Sequence, residues 1–336
     1  MSLRFAIIGC GAIAHRHAAA IIKTGSIVAV CDVDASKASK LAADYQCPYF
    51  LNIDQVLALP NVDVMVICTP NYLHALQSIA ALKSGKHVLC EKPMCLTLAE
   101  AEAMIAAETL AKKKLFVVKQ NRFNEPIILL KQLIDGNKLG QLLSFQVNCF
   151  WNRPAAYYQQ SNWKGRKKLD GGILFTQFSH FIDIITWLLG PAAAVKGFGS
   201  NLTLANEIEG EETGVVSMQM KNGVLGSLHY TVTAHNKNYE GSITIAGEKG
   251  LVKIGGQYLN ELSYYAVENT EAPILEKNTA ANDYGFYKGS MSNHPKVYEQ
   301  LEKALHGQPH QLPAATETKE CIELIIQIMD AINSNH

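Results

Sequence analysis

What the chain lacks narrows it first. It has no net charge, because 30 Lys+Arg balance 30 Asp+Glu over 336 residues. Such a balance gives no global pull toward nucleic acid or an anionic membrane surface, so neither is expected as a partner. It has no apolar run of 18 residues, so no membrane-spanning helix is expected. It has no C-x-x-C pair, and no metal is expected. The eight cysteines, at 10, 31, 47, 68, 90, 95, 149 and 321, sit mostly in apolar, strand-like runs. They read as unbridged buried thiols in a reducing compartment, the cytoplasm. No internal repeat at a fixed period is visible. The opening residues, Met1 to Gly9, are apolar but few and run into a glycine turn, which reads as a strand rather than a leader.

What is present is long enough for roughly two domains. Residues 1–120 alternate strands with helices. An apolar strand over 4–8 runs into Gly9-Cys10-Gly11-Ala12-Ile13-Ala14 and then a helix. This is the G-x-G-x-x-G/A spacing of a dinucleotide site. Gly9 makes the tight turn, Gly11 lets the backbone approach a pyrophosphate over Gly11–Ile13, and small Ala14 lets helix and strand pack closely. The next strand, 27–31, ends at Asp32, 23 residues after Gly9, near the roughly 20 expected of the acid that binds the adenosine ribose. An acid there accepts from the 2′-hydroxyl and repels a 2′-phosphate, which favours NAD over NADP. Asp34 is an alternative for that role.

Residues 62–68 are continuously apolar, as in a strand buried on both faces. Thr69-Pro70-Asn71 ends that strand, Asn71 is placed to cap the helix 72–83, and Gly85 stops the helix. Thr97 and Glu100 form a capping box for a helix over 98–112. The alternation predicts an α/β, doubly wound parallel Rossmann sheet. Its ligand cleft lies at the carboxyl ends of the strands, where Glu91-Lys92-Pro93 follows the short strand 87–90. Lys92 can reach into that cleft, and Pro93 fixes the turn. The plainer reading of Lys92 alone is a solvated lysine after a strand.

After residue 120 the pattern changes. Strand-like runs recur over 142–151, 193–199, 213–220, 224–233, 242–246, 251–254 and 262–265, with an Asn222-Gly223 hairpin signal. This predicts an α+β domain over 121–312 with a large, open-faced, mostly antiparallel sheet. A C-terminal helix in 313–336 is expected to pack back on the first domain. One helix interrupts the strands, over 173–189 after Gly171-Gly172. It puts Thr176, His180 and Asp183 at i, i+4 and i+7 on one face. Upstream, Arg153, Lys164, Arg166, Lys167 and Lys168 are interleaved with Tyr157, Tyr158 and Trp163. Five cations in 16 residues of a neutral chain point to a local anion, phosphate or carboxylate, with aromatic faces for a ring.

Together these motifs resemble the Gfo/Idh/MocA family of nicotinamide-dependent sugar dehydrogenases. The resemblance rests on Gly9-x-Gly11-x-x-Ala14, Thr69-Pro70-Asn71-x-x-His74, Glu91-Lys92-Pro93, and Gly171-Gly172 followed by His180-x-x-Asp183. It covers nearly the whole chain. It implies a homodimer or homotetramer through the open sheet, Lys92 as the catalytic lysine, and His180 beside the reacting carbon of the substrate. Many members carry an aspartate four residues before that histidine; here it is Thr176, which leaves a fixed Lys–Asp–His relay open.

That substitution, with Asn71-Tyr72-Leu73-His74, Gln120-Asn121-Arg122-Phe123-Asn124, Trp163-Lys164-Gly165 and Leu174-Phe175-Thr176-Gln177, looks closest to the WlbA/WbpB-type subgroup. Its members are UDP-N-acetyl-2-amino-2-deoxyglucuronate dehydrogenases, which act at the sugar C3 hydroxyl toward surface polysaccharides. The resemblance implies NAD contacts at Gly9, Gly11, Ala12, Ile13 and Asp32, at Thr69, Asn71, His74, Glu91 and Lys92, and at Gln120 and Arg122. It implies a UDP-sugar held by Arg153, Tyr157, Tyr158, Trp163, Lys164, Thr176, Gln177 and His180. An unperturbed histidine titrates near ~6.5 and a lysine near ~10.4, so His180 is expected as base with Lys92 orienting the hydroxyl, and the reverse assignment stays open. A free-sugar or inositol dehydrogenase on the same scaffold, and a non-catalytic NAD-binding sensor, are the alternatives.

Overall fold

In the computed structural model, which describes residues 2–275, 281–283 and 288–334, the chain divides into two units. The first comprises Met1–Lys119 with His294–Ile322, the second Gln120–Asn293 with Glu323–His336.

The first unit contains β1 (Leu3–Ile8), α1 (Ala12–Ile21), β2 (Gly25–Cys31), α2 (Ala35–Tyr45), β3 (Tyr49–Phe50), α3 (Ile53–Leu57), β4 (Val64–Ile67), α4 (His74–Lys83), β5 (His87–Cys90), α5 (Leu98–Ala111) and β6 (Leu115–Val117). The six strands form one sheet in the order β3-β2-β1-β4-β5-β6, with every pair parallel. The order reverses between β1 and β4, which is where such sheets bind ligands. All four residues of β4 are buried, as its unbroken apolar sequence requires. The capping box before α5 is present on both sides, Thr97 accepting from the Glu100 amide and Glu100 from the Thr97 amide.

Asn71 does not cap α4. A 3₁₀ turn, Asn71–Leu73, with Pro70 at its own N-cap, precedes that helix, and Leu73 holds the N-cap position of α4 with no side-chain cap. The helix His294–Leu305 belongs to this unit rather than to the second, because its apolar stripe of Val297, Tyr298 and Leu301 is buried and Tyr298 meets Phe5 of β1 edge-on at 5.6 Å.

The second unit contains α6 (Glu125–Asp135), β7 (Leu142–Phe150), α7 (Ala155–Gln159), α8 (Lys167–Asp170), α9 (Ser179–Leu189), β8 (Ala192–Ser200), β9 (Thr213–Met220), β10 (Leu225–Thr231), β11 (Glu240–Gly247), β12 (Gly250–Gly255), β13 (Glu261–Val267), and the small ribbon β14 (Ala281–Asp283) and β15 (Lys288–Met291). Seven strands form a sheet in the order β13-β12-β11-β7-β10-β9-β8. Only β7 and β10 run parallel. The burial of β9 alternates strictly, as expected of a sheet with one covered face.

The covered face carries Val147, Met218, Leu228, Tyr230, Ile243 and Val252, and Phe178 stacks 5.1 Å from Tyr230. On the open face, register aligns Phe198 with Val215 and Val215 with His229; Leu225, Leu251 and Tyr264 are also exposed on this sheet. The last helix, Ala315–Asn333, is assigned to the first unit only as far as Ile322. Its later part belongs to the second unit, where Ile332 lies against Gly199 of β8.

By length and composition, Lys167–Leu189 is apolar enough to cross a membrane, but 83% of its apolar window is buried within the protein. The apolar character serves the core of the second unit. None of the eight cysteines forms a disulfide.

Candidate active site

In the first unit the glycine turn is held from both sides. The Gly9 amide donates to the Cys31 carbonyl at 2.7 Å, and the Cys68 amide to the Ile8 carbonyl at 2.7 Å. Gly9 has φ +91°, and a Cβ there would come within 2.7 Å of the Cys68 backbone, so only glycine fits between β1 and the end of β4. Gly11 differs: a Cβ would meet nothing within 4 Å. It starts α1 with no side-chain cap and no acid in the first turn. The first amides of α1 are therefore available to an anion, and the open ground over Gly11, Ala12 and Ile13 suits a pyrophosphate. The residues present fit a dinucleotide.

Asp32 follows β2, and its carboxylate accepts from the Cys10 amide at 2.7 Å and the Asp34 amide at 2.9 Å. It thus ties the glycine turn to the end of β2 while carboxylate lone pairs remain for a hydroxyl. Asp34 is occupied otherwise. It caps α2 by accepting from the Ser36 and Lys37 amides, and bonds to Ser36 and Lys37 pull its pKa down to about 2.

His74 links two of the expected segments. Its Nδ1 lies 2.6 Å from the Pro93 carbonyl and its Nε2 2.8 Å from the Thr69 carbonyl, and burial holds the imidazole below its usual range. Thr69 donates its hydroxyl to Gln77 at 2.6 Å. Asn71 is 6% exposed. The Lys92–Pro93 peptide is cis. Beside it, the Glu91 carboxylate lies 2.8 Å from His17 Nε2 and 3.5 Å from His294 Nε2, with both histidine side chains at most 1% exposed. These are the described residues whose ligand atoms could gather a metal ion. Sequence spacing gave no sign of them, since His17 and His294 are remote from Glu91 along the chain.

In the second unit, α9 is preceded by a π turn, Leu174–Phe178, where a uniform α-helix was expected. Wide turns of this kind recur at functional sites. Thr176 sits in the turn and donates its hydroxyl to the Gly172 carbonyl at 3.0 Å. His180 is 4% exposed, and its Nε2 lies 3.4 Å from the Ser290 hydroxyl, which accepts from the Gln120 side-chain Nε2 at 2.9 Å. Ser290, far along the chain in a polar strand, gave no signal in the sequence.

Arg122 was expected near the nicotinamide. In the structure its Nε and one terminal nitrogen donate to the two oxygens of Asp183 at 2.7 and 2.9 Å, and its guanidinium stacks 4.8 Å from the Trp187 ring.

The basic, aromatic segment forms a compact group. Arg153 is 2% exposed. It donates to Gln177 Oε1, to the Asn152 carbonyl and to Asn238 Oδ1 at 3.1, 2.6 and 3.2 Å. Gln177 in turn donates to the Tyr157 hydroxyl at 3.1 Å. The Tyr157 ring lies between two cations, Arg153 at 5.6 Å and Lys164 Nζ at 4.1 Å. Burial and then Arg153 lower the Lys164 pKa. Tyr158 is buried against Tyr157 at 5.0 Å, and its hydroxyl has no hydrogen-bond partner among the described residues. Trp163 is half-buried at the start of the same loop. Arg166 faces away into a surface pair with Glu209 at 3.7 Å, so it does not join the group.

The two units carry the two halves of a recognised oxidoreductase. Residues 3–119 match a profile described as an oxidoreductase family with an NAD-binding Rossmann fold, and residues 127–253 match the GFO/IDH/MocA C-terminal domain. The chain belongs to the Gfo/Idh/MocA family of oxidoreductases, and its cofactor is NAD.

Among solved structures it is similar to the WlbA dehydrogenase of Bordetella pertussis in complex with NADH and UDP-GlcNAcA. That match has 30% identity and a TM-score of 0.89, and covers 100% of this chain and 98% of that one. It is also similar to the WlbA dehydrogenase of Chromobacterium violaceum with the same two ligands, at 33% identity and a TM-score of 0.91, covering 100% and 95%. A curated relative, the 1-carboxy-3-chloro-3,4-dihydroxycyclohexa-1,5-diene dehydrogenase of Comamonas testosteroni, is 31% identical over 230 residues. That stretch is 66% of this chain and spans 56% of the relative's length.

Proposed function

We propose that this protein oxidises a ring hydroxyl of a nucleotide-linked uronic acid, with NAD as acceptor, at C3 of UDP-N-acetylglucosaminuronic acid on a route to surface polysaccharide. The observation that carries this reading is the group around Tyr157. Two cations, Arg153 and Lys164, approach its ring at 5.6 and 4.1 Å. Two cations beside one aromatic ring suit a ligand that carries a diphosphate or a carboxylate, and the WlbA dehydrogenases, similar over the whole chain, bind UDP-GlcNAcA.

NAD, when bound, supplies a two-electron acceptor for the carbinol carbon. The chain supplies the proton chemistry. His180 Nε2 takes the hydroxyl proton, since an imidazole accepts at neutral pH without a large shift. The Ser290 hydroxyl oxygen, 3.4 Å from Nε2, is placed to accept from that nitrogen once it carries the proton, and Gln120 donates to the same hydroxyl. Lys92 orients the hydroxyl and stabilises the charge that develops on oxygen. Asp32 receives the adenosine ribose and selects NAD over NADP. The open sheet face, with Phe198, Val215, Leu225 and Tyr264 exposed, pairs two or four copies. The protein works in the cytoplasm, where NAD and nucleotide sugars are available.

The test is thermal-shift binding with NAD present, comparing UDP-N-acetylglucosaminuronic acid with glucose and myo-inositol. A rise in Tm specific to the UDP-uronate is expected. A response to the free polyols alone would replace this reading with a free-sugar dehydrogenase, and NAD binding without response to any sugar would replace it with a sensor.

A further inference from the structure

We propose that His17 and His294 are positioning residues for Lys92, acting through the Glu91 carboxylate. The Lys92 amide donates to Glu91 Oε2 at 3.0 Å. The other oxygen, Oε1, lies 2.8 Å from His17 Nε2 and 3.5 Å from His294 Nε2. An ionised carboxylate only accepts, so His17 carries its proton on Nε2 and its Nδ1 is bare. The Tyr298 hydroxyl, 2.8 Å from that Nδ1, is then the donor to it. One directed chain of hydrogen bonds runs from Tyr298 through His17 and Glu91 and meets the main chain of Lys92.

The charge states agree with this direction. Burial holds the His17 imidazole below its usual range, and hence neutral. Burial works to raise Glu91, but the hydrogen bond from His17 and the close approach of His294 outweigh it and hold the carboxyl well below its usual range. His294 meets His17 edge-on, with ring centroids 5.0 Å apart, and is 1% exposed. It covers the remaining side of Oε1 and keeps water from it. Both Glu91 oxygens have neighbours within this unit, the Lys92 amide at Oε2 and the two histidines at Oε1.

The same three side chains could be read as metal ligands, but the spacing argues otherwise. Two ligands about 2.0–2.1 Å from a tetrahedral ion stand roughly 3.3 Å apart, whereas His17 Nε2 and Glu91 Oε1 stand at hydrogen-bond distance. The consequence is catalytic. A lysine whose ammonium must meet one oxygen needs its backbone fixed to within about 0.5 Å, and a misplacement near 1 Å costs on the order of a hundredfold in rate.

The turnover arm of the test rests on the proposed substrate; the spectroscopic arm does not. The full chain is prepared as wild type, His17→Ala, His17→Gln and His294→Ala. Its lysines are reductively methylated with 13C-formaldehyde, and the Lys92 resonance is identified by its loss in Lys92→Arg. Its titration is followed by NMR, and kcat and KM are measured with NAD and UDP-N-acetylglucosaminuronic acid.

In His17→Ala and His294→Ala the Lys92 resonance is expected to shift. The kcat is expected to fall roughly tenfold to a hundredfold, with KM held within about threefold. His17→Gln, whose amide still donates to Glu91, is expected to recover most of kcat. Unchanged Lys92 titration and kcat in both alanine variants would overturn the proposal. So would equal loss in His17→Gln and His17→Ala in step with Tm, or stoichiometric zinc in the purified protein that His294→Ala removes. Wild type inactive on the UDP-uronate would count against the proposed substrate, and the NMR titration would still decide the positioning role.

Discussion

Arg122 and Asp183 face each other as a two-pronged ion pair, with both side chains at most 3% exposed. The pair joins the 3₁₀ turn Gln120–Phe123 to α9, three residues beyond His180. Removing one partner leaves the other charged and buried, which costs about 3–5 kcal/mol. Asp183→Asn is therefore expected to lower stability in urea by that order. The double change Arg122→Met with Asp183→Leu is expected to cost clearly less than the sum of the single changes, because no charge is left unpaired. Additive losses in a double-mutant cycle would show that the two residues are not coupled.

The parts of the fold that were legible in the sequence are those set by neighbours along the chain. The strand–glycine–helix start, the apolar run of β4, the capping box at Thr97 and Glu100 and the Asn222-Gly223 hairpin each lie within a few residues. The candidate site residues were picked out for the same reason, as short motifs. What was not legible comes from distant segments. Tyr298, His17 and Glu91 meet only after folding, and nothing in the sequence around His17 announces a carboxylate partner. The helix His294–Leu305 carries an amphipathic stripe that fits any core, so its placement in the first unit had to be seen. The parallel pairing of β7 with β10 is equally silent, because alternation fixes a face and not a neighbour. Arg122 is a motif residue whose partner was equally silent, since Asp183, which holds it, stood out in the sequence only as a residue on the same helix face as His180.

Lys92→Met is expected to abolish turnover while leaving NAD affinity within about threefold of wild type, because the change removes the ammonium but not the glycine turn or Asp32. NAD affinity is read by quenching of protein fluorescence and turnover by NADH absorbance. A variant that retains kcat within about tenfold of wild type would remove Lys92 from the catalytic assignment.

Asp32 makes a double demand that a substitution can separate. Its carboxylate holds the Cys10 amide and is also the expected acceptor of the ribose hydroxyl. Asp32→Ser keeps a short acceptor and removes the negative charge that repels a 2′-phosphate. The ratio of kcat/KM for NAD to that for NADP is expected to fall at least about tenfold, the effect of one lost charged hydrogen bond. An unchanged ratio in paired assays would place cofactor discrimination elsewhere.

Arg153 and Lys164 are expected to act on substrate capture rather than on the chemical step, since both sit around Tyr157 and neither is assigned a proton. Lys164→Met is expected to raise KM for the UDP-uronate about tenfold or more with kcat little changed, as loss of uniform binding does. Arg153→Met is expected to do the same and also to lower Tm, because it takes away the donor to Gln177 Oε1. Steady-state kinetics over a salt series separates the two kinds of contribution, because the charge-dependent part weakens as ionic strength rises. If KM were insensitive to both changes, the cations would be structural and the case for an anionic substrate would fall with them.

Stability should depend on pH through a histidine outside the proposed site. The His87 Nδ1 accepts from the Lys114 amide at 3.0 Å, which requires an unprotonated ring. Burial, followed by Lys113, lowers its pKa to about 4, against roughly 6.5 in the unfolded chain. A folded-state pKa below the unfolded one means that the stabilisation is complete above about pH 6.5. It is lost progressively as pH falls toward 4, where the unfolded chain takes a proton that the folded protein does not. His87→Asn keeps an acceptor near the Lys114 amide and removes the titration. Between pH 7 and 4.5 the wild type is expected to lose about 1–2 kcal/mol more than this variant, a figure reduced for the half-exposed ring. His17 and His74 are shifted in the same direction and act equally in both proteins, so they cancel in the comparison. Parallel stability–pH curves for the two proteins would mean that His87 is not the group that titrates.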